Sequence, residues 1–305
     1  MFSEEMSQQI KMLKEIYIPY PDFATMDWTE SRNMMIEAAR MCPVSEGIEF
    51  CKDTIQAVPV EWGLHKDSME DPFADGKKLI FHVHGGGFSV GDPECDRYAL
   101  SRLAVQTGWN TISIGYRMAP EYQYPAPIED CMKVYNYLLE HGYKAENISF
   151  IGESAGGAIV LSLVSYCKTH NIPMPGSVCA VSPSVDFTFQ SKSLKTNANR
   201  EIIVNCNVAD QVRQLFLGDQ DPTDPVASPI FADLTGWPPV YLYVSTEEIL
   251  FDESIRMYLK LEDAEVPVKL SVAEGLFHCY MFNPSPEAEE ALDMIGEFFM
   301  EPVNK

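Results

Sequence analysis

Small residues crowd a single serine, Ser154, in the stretch FIGESAGGAIV at 150–160. An apolar run stops at Gly152, and an apolar stretch of helical length begins just beyond the serine. Gly and Ala at a strand-to-helix turn can simply let the helix pack close to the sheet, with Ser as its N-cap. The spacing Gly152-x-Ser154-x-Gly156 in this context is more particular. It fits a strained turn that lifts a nucleophilic hydroxyl clear of a sheet, where any side chain at the glycines would collide with the turn. Upstream, HVHGGGFSVGD at 82–92 places three consecutive glycines after another apolar run. Such a run is costly in conformational entropy unless the backbone itself is used, and acyl transfer uses it, as N–H groups aimed at a developing oxyanion. A phosphate cradle would need a Walker lysine or GxGxxG spacing, and neither is present. His82 and His84 alternate on one strand face, but no third metal ligand is placed near them, so neither metal nor cofactor is expected.

These residues need elements to position them. Short apolar, often β-branched runs at 77–84, 110–116, 147–152, 177–182, 239–245 and 267–274 read as strands covered on both faces. Helical patterns lie between them, near 95–107, 127–141, 155–169, 252–264 and 287–300. The alternation predicts an α/β fold, a mostly parallel sheet with helices on both faces. The run at 48–65 adds one or two antiparallel edge strands. Two segments break the rhythm. Residues 1–45 look helical and hold seven of the 15 methionines, at 1, 6, 12, 26, 34, 35 and 41. Residues 189–225 are a long insertion containing the helical stretch NVADQVRQLFLGD. Long insertions between core strands tend to be lids or binding loops, and open α/β sheets bind ligands at the strands' C-terminal ends. The two segments are therefore read as a helical cap whose Met side chains make an adaptable apolar wall. Ordinary surface helices packed by flexible Met are the plainer alternative.

The 305 residues carry a net charge of -23, which argues against nucleic acid or an anionic membrane as partner. No uncharged stretch approaches membrane-spanning length, and the first twenty residues have no apolar leader core. The 8 cysteines are scattered singly, and read as buried thiols in a reducing cytoplasm.

HGGG followed at a distance by GxSxG is an arrangement described for lipases and esterases. HGGGF (84–88), YRMAPEYQYPAPIED (116–130), GESAGG (152–157), SPSVDFT (182–188) and EEILFD (247–252) together resemble the hormone-sensitive-lipase-like esterases of the α/β-hydrolase superfamily. The resemblance runs from about residue 78 to 283. It implies an α/β-hydrolase core at 46–188 and 226–305, and a helical cap from 1–45 and 189–225. It implies hydrolysis of small carboxylic esters, with Ser154 as nucleophile and His278, in EGLFHCYMF after the last strand, as base. The oxyanion donors would be the N–H groups of Gly86, Gly87 and Ala155. Tyr116, Arg117, Glu121, Asp130 and Asp186 match positions of structural use.

The chain departs from the family at the acid of the triad, where most members have an Asp and this sequence reads EILFD from Glu248. Glu247, Glu248 and Asp252 compete; the motif favours Glu248, and a helix N-terminal role explains Asp252 without catalysis. Amide, carbamate or formamide hydrolysis by the same triad stays open. Loss of catalysis, leaving a receptor for a small ligand, would show as a replaced Ser154, His278 or glycine. The expected partner is a small ester, with no membrane insertion and a homodimer left open. Cys279 adjoins the base, and an inert packed thiol is the expectation for it.

Overall fold

The computed structural model describes residues 2–15, 26–66, 76–204 and 209–301. Eight strands, β1 (Ile48–Ile55), β2 (Val58–His65), β3 (Leu79–Val83), β4 (Asn110–Ile114), β5 (Ile148–Glu153), β6 (Ser177–Val181), β7 (Val240–Ser245) and β8 (Val268–Ala273), form one sheet. Their order is β1-β2-β4-β3-β5-β6-β7-β8. From β4 to β8 every neighbouring pair is parallel; β1 and β2 form a hairpin whose second strand lies antiparallel to β4.

The near-continuous apolar character of the central strands follows from burial on both faces. In β3, Leu79, Phe81 and Val83 enter one core while Ile80 enters the other. The first core is completed by α4 (Ala126–Glu140), α5 (Ala155–His170) and α8 (Phe251–Asp263), through side chains such as Val134, Ile159 and Met257. The second is completed by α3 (Arg97–Thr107) and α9 (Pro286–Met300), through Leu103 and Ile295. β8 departs from the expectation of a strand covered on both faces. It is the sheet's last strand, and Val272 is 43% exposed.

Before β1 lie α1 (Glu4–Glu15) and α2 (Trp28–Ala39). Between β6 and β7 come the short α6 (Ser193–Thr196) and α7 (Ala209–Phe216), narrower than the expected helical stretch, whose first two residues lie outside the described ones. The N-terminal methionines do not share one role. Met6 is fully buried in the second core, whereas Met34 and Met41 are exposed. The thiols also divide: Cys131, Cys167 and Cys179 are buried, but Cys42, Cys51, Cys95 and Cys279 are only partly so. The expectation of uniformly buried cysteines is thus corrected, because four of the seven described thiols sit on loops, on the edge hairpin or at a cavity wall.

Helix α5 approaches the sheet more closely than side chains allow. A Cβ on Gly156 would lie 1.9 Å from the Val83 carbonyl oxygen and 2.6 Å from that of His84. Alanine ordinarily gains about 1 kcal/mol over glycine inside a helix, but overpacking costs ~1–3 kcal/mol and more where the obstacle is backbone. Gly156→Ala should therefore lower the urea midpoint despite its better helix propensity, and by more than Gly236→Ala, where a Cβ meets nothing but φ is +72°. An unchanged or raised midpoint for Gly156→Ala would refute the close-approach account.

Candidate active site

The chain runs from β3 outward to β4, then returns to β5 and proceeds the other way through β6, β7 and β8. The strand order therefore reverses between β3 and β5, and a crevice opens beyond their carboxyl ends. Val83 pairs with Gly152 in register, so the glycine run after β3 and the serine after β5 leave the sheet side by side.

Ser154 occupies a backbone conformation rare for a non-glycine residue, φ 54° and ψ −117°. Its N–H donates to the Val181 carbonyl at 2.8 Å, which anchors the turn to β6. Gly86 and Gly87 have φ of +99° and +60°, and a Cβ on Gly86 would lie 2.2 Å from the Val90 carbonyl oxygen. The Gly86 carbonyl accepts the N–H groups of Ser89 and Val90, which folds the loop back on itself. Among the described residues none accepts a hydrogen bond from the N–H of Gly86, Gly87 or Ala155, the first residue of α5.

A residue without an assigned role joins these two turns. Glu153, buried beside the serine, accepts the Gly85 N–H on Oε1, and its Oε2 lies 3.1 Å from His82 Nε2. Asp96 Oδ2 lies 3.6 Å from the same ring nitrogen. Burial pushes the carboxyls of Glu153 and Asp96 each up to about 8 and holds the His82 imidazole below its ordinary value. The sequence signalled Glu153 only by its place between Gly152 and Ser154, which says nothing of where its side chain reaches.

On the far side of the crevice, the loop after β7 carries Glu248 and the loop after β8 carries His278. Glu248 is 1% exposed, and its Oε2 lies 2.6 Å from His278 Nδ1. Oε1 accepts from the Ser182 hydroxyl at 2.8 Å and from the Ser245 N–H at 2.6 Å. Three donors thus surround a carboxylate that is out of water, as a buried polar group requires. The rival carboxylates are engaged elsewhere. Glu247 pairs with Arg200, and Asp252, in the first turn of α8, accepts the Lys192 N–H at 2.8 Å.

Burial opposes a charge on His278, but Cys279 and Glu248 beside it override that and raise its pKa well above the ordinary imidazole value. Burial also pushes the Cys279 thiol up to about 11. A protonated thiol of this kind is a poor nucleophile. Nδ1 being held by Glu248, Nε2 is the ring nitrogen available for proton transfer.

Ser154, Gly86, Gly87 and His278 line one cavity of about 550 Å³. Its apolar wall comes from both irregular segments: Met12, Trp28 and Met35 from the N-terminal helices, Ile203, Val204 and Val212 from the insertion. Two groupings have the spacing of metal ligands, His82 with Asp96 and Glu153, and Glu201 with Glu248 and His278. In the first, His82 Nδ1 meets Ser113 Oγ at 2.8 Å and Nε2 faces Glu153, so both ring nitrogens already have protein partners. In the second, His278 Nδ1 is held by Glu248. The residues expected to serve structure make structural contacts: Arg117 Nε binds Asp130 at 2.7 Å, Arg256 binds Asp186 at 2.7 Å, Arg32 binds Glu121, and the Tyr116 hydroxyl braces the His84 carbonyl. No described helix is long and apolar enough to cross a membrane.

Residues 80–282 match the family model described as the alpha/beta hydrolase fold. An esterase of Acinetobacter venetianus is 34% identical over 80% of this chain and 82% of its own length. An acetyl-hydrolase of Streptomyces hygroscopicus is 30% identical over 73% of this chain and 75% of its own. The crystal structure of an esterase from the bacterial hormone-sensitive lipase family superposes with a TM-score of 0.89 at 30% identity, covering 99% of each chain. By these matches the chain belongs to the α/β-hydrolase-fold family, among the hormone-sensitive-lipase-like esterases.

Proposed function

We propose that this chain is a serine carboxylesterase that hydrolyses small, short-chain esters through Ser154, His278 and Glu248. The observation that carries this reading is the Glu248–His278 hydrogen bond, set in the wall of the cavity that Ser154, Gly86 and Gly87 also line. The Ser154 hydroxyl attacks the ester carbonyl while His278 Nε2 takes its proton. The N–H groups of Gly86, Gly87 and Ala155, which have no described protein acceptor, donate to the oxyanion as it forms. Glu248 stabilises the imidazolium and keeps its Nδ1 proton in place. Collapse of the tetrahedral intermediate expels the alcohol, which takes the proton from His278. Water then repeats the sequence on the acyl-serine and releases the acid. The two helical segments serve as a cap, and the activity is placed in the cytoplasm.

The first test is turnover of p-nitrophenyl acetate. Ser154→Ala should remove it, and so should His278→Ala; full-strength turnover by folded Ser154→Ala sinks the triad.

The second is the pH profile. The base must be neutral to act, and Glu248 and Cys279 raise its folded pKa against the effect of burial. The protonated, inactive form therefore persists above the ordinary value near ~6.5, and kcat/KM should climb with pH through a midpoint higher than that. Glu248→Gln should cut kcat by roughly 10⁴-fold, the scale seen when a triad acid becomes an amide. Glu247→Gln, which loses only the Arg200 pair, should leave it within about threefold. An acid limb near 4, or loss of turnover on Asp252→Asn with Glu248→Gln near normal, contradicts the assignment.

The third concerns substrate size. A cavity of about 550 Å³ with apolar walls is a pocket for a small molecule, not a lipid-docking face. By analogy with the family, acyl chains of about two to eight carbons should be preferred, in keeping with a pocket of this size. The acetyl-hydrolase name of one relative supports this. Faster hydrolysis of emulsified long-chain triglycerides than of butyrate esters would overturn it.

A further inference from the structure

The chain between β6 and residue 204 does more than wall the cavity. It wraps the loop that carries Glu248. The Lys192 N–H donates to Asp252 at 2.8 Å, and the Ser193 hydroxyl donates to the Ile249 carbonyl at 2.6 Å. The Asn197 amide donates to the carbonyls of Thr246 and Glu248 at 2.9 and 2.8 Å. At the end of this wrap stands Glu201. Its Oε1 accepts the Ile203 N–H at 2.8 Å, and its Oε2 accepts the N–H of Ile249, the residue after Glu248, at 3.3 Å. One oxygen of Glu201, one of Glu248 and a ring nitrogen of His278 all lie within 4.8 Å of one another.

We propose that Glu201 is a second carboxylate of the acid–base pair, a positioning residue contributed by the insertion, which fixes the Glu248 loop and stabilises protonated His278. The proposal rests on the reading of His278 as the base. Stereochemistry supports it, because a carboxylate whose oxygens are both tied to backbone N–H groups cannot swing away when the imidazole charges. The charge environment supports it too. The groups facing His278 are Glu248 from the loop after β7, Glu201 from the insertion, Cys279 on its own loop and Glu153 from the end of β5, with Asp96 and His82 behind the last. Cys279 stays protonated to about 11, and Glu153 and Asp96 titrate only at about 8. Glu248 and Glu201 are the carboxylates whose oxygens lie nearest the His278 ring. Burial raises the Glu201 pKa, and a positive His278 opposes that rise, so ionisation of one and protonation of the other favour each other.

Glu201→Gln keeps one acceptor oxygen for the Ile249 or the Ile203 N–H, and removes the charge together with the other backbone hydrogen bond. On p-nitrophenyl acetate it should lower kcat about tenfold with little change in KM, and shift the acid limb of kcat/KM down by about one pH unit. Glu201→Asp should keep the acid limb within a few tenths of the parent. Proton NMR of the His278 ring in the Ser154→Ala protein gives a readout that needs no turnover, and there Glu201→Gln should lower the imidazole pKa by the same unit. An unchanged NMR pKa and an unchanged acid limb overturn the proposal while leaving the esterase standing. An NMR shift in a parent protein without esterase activity upholds the charge coupling and overturns the function. A kcat loss shared by Gln and Asp with no shift in either titration reduces Glu201 to a structural contact and also overturns it.

Discussion

The site depends on how closely the first turn of α5 lies against the end of β3, where Gly156 meets the Val83 carbonyl with no room for a Cβ. That approach forces the chain to turn abruptly after β5, which is why Ser154 accepts a positive φ and its hydroxyl stands above the sheet. It also brings the serine turn against the glycine loop that leaves β3. Glu153 then ties the two together through the Gly85 N–H. The serine turn and the glycine loop are thus held by one packing contact and one buried hydrogen bond to the Glu153 side chain.

The electrostatic organisation follows from which buried carboxylates find donors. Glu248 has a hydroxyl, a backbone N–H and an imidazole around it. Glu153 and Asp96 share a drier pocket behind the serine with a single histidine that burial keeps neutral, and both are held protonated toward about 8. The buried carboxylates thus differ across the crevice in how many donors each one meets.

The cavity is assembled from parts distant in the chain. Two helices from the N-terminus and a stretch between β6 and β7 wall it, while the loops of the sheet form its floor. Floor and wall are not independent, since residues 192–201 hydrogen-bond along the loop that bears Glu248. A wall segment that grips the Glu248 loop links the shape of the pocket to the geometry of the Glu248–His278 pair. The many acidic side chains behind the net charge of -23 belong to the protein's exterior character rather than to this apolar interior.

Much of this was legible from the sequence. Strands buried on both faces announce themselves as short continuous apolar runs, and the observed strands match the expected ones with ends shifted by a residue or two. The glycine spacing around Ser154 and the HGGG run were readable because only the absence of a side chain permits those backbone contacts, and absence is visible in a sequence. Edge position was not readable: β8 looks like its neighbours in composition, yet Lys269 and Val272 are exposed. Nor was the role of Glu153 or the grip of Ser193, Asn197 and Glu201 on the acid loop. Among Glu247, Glu248 and Asp252 the motif ranked the candidates, but the contact with His278, 30 residues away, was made by the folding of two loops. Local patterns record what each backbone segment can become. Which polar side chains meet across the crevice is decided by the packing of segments distant in sequence, and no local pattern encodes that distance.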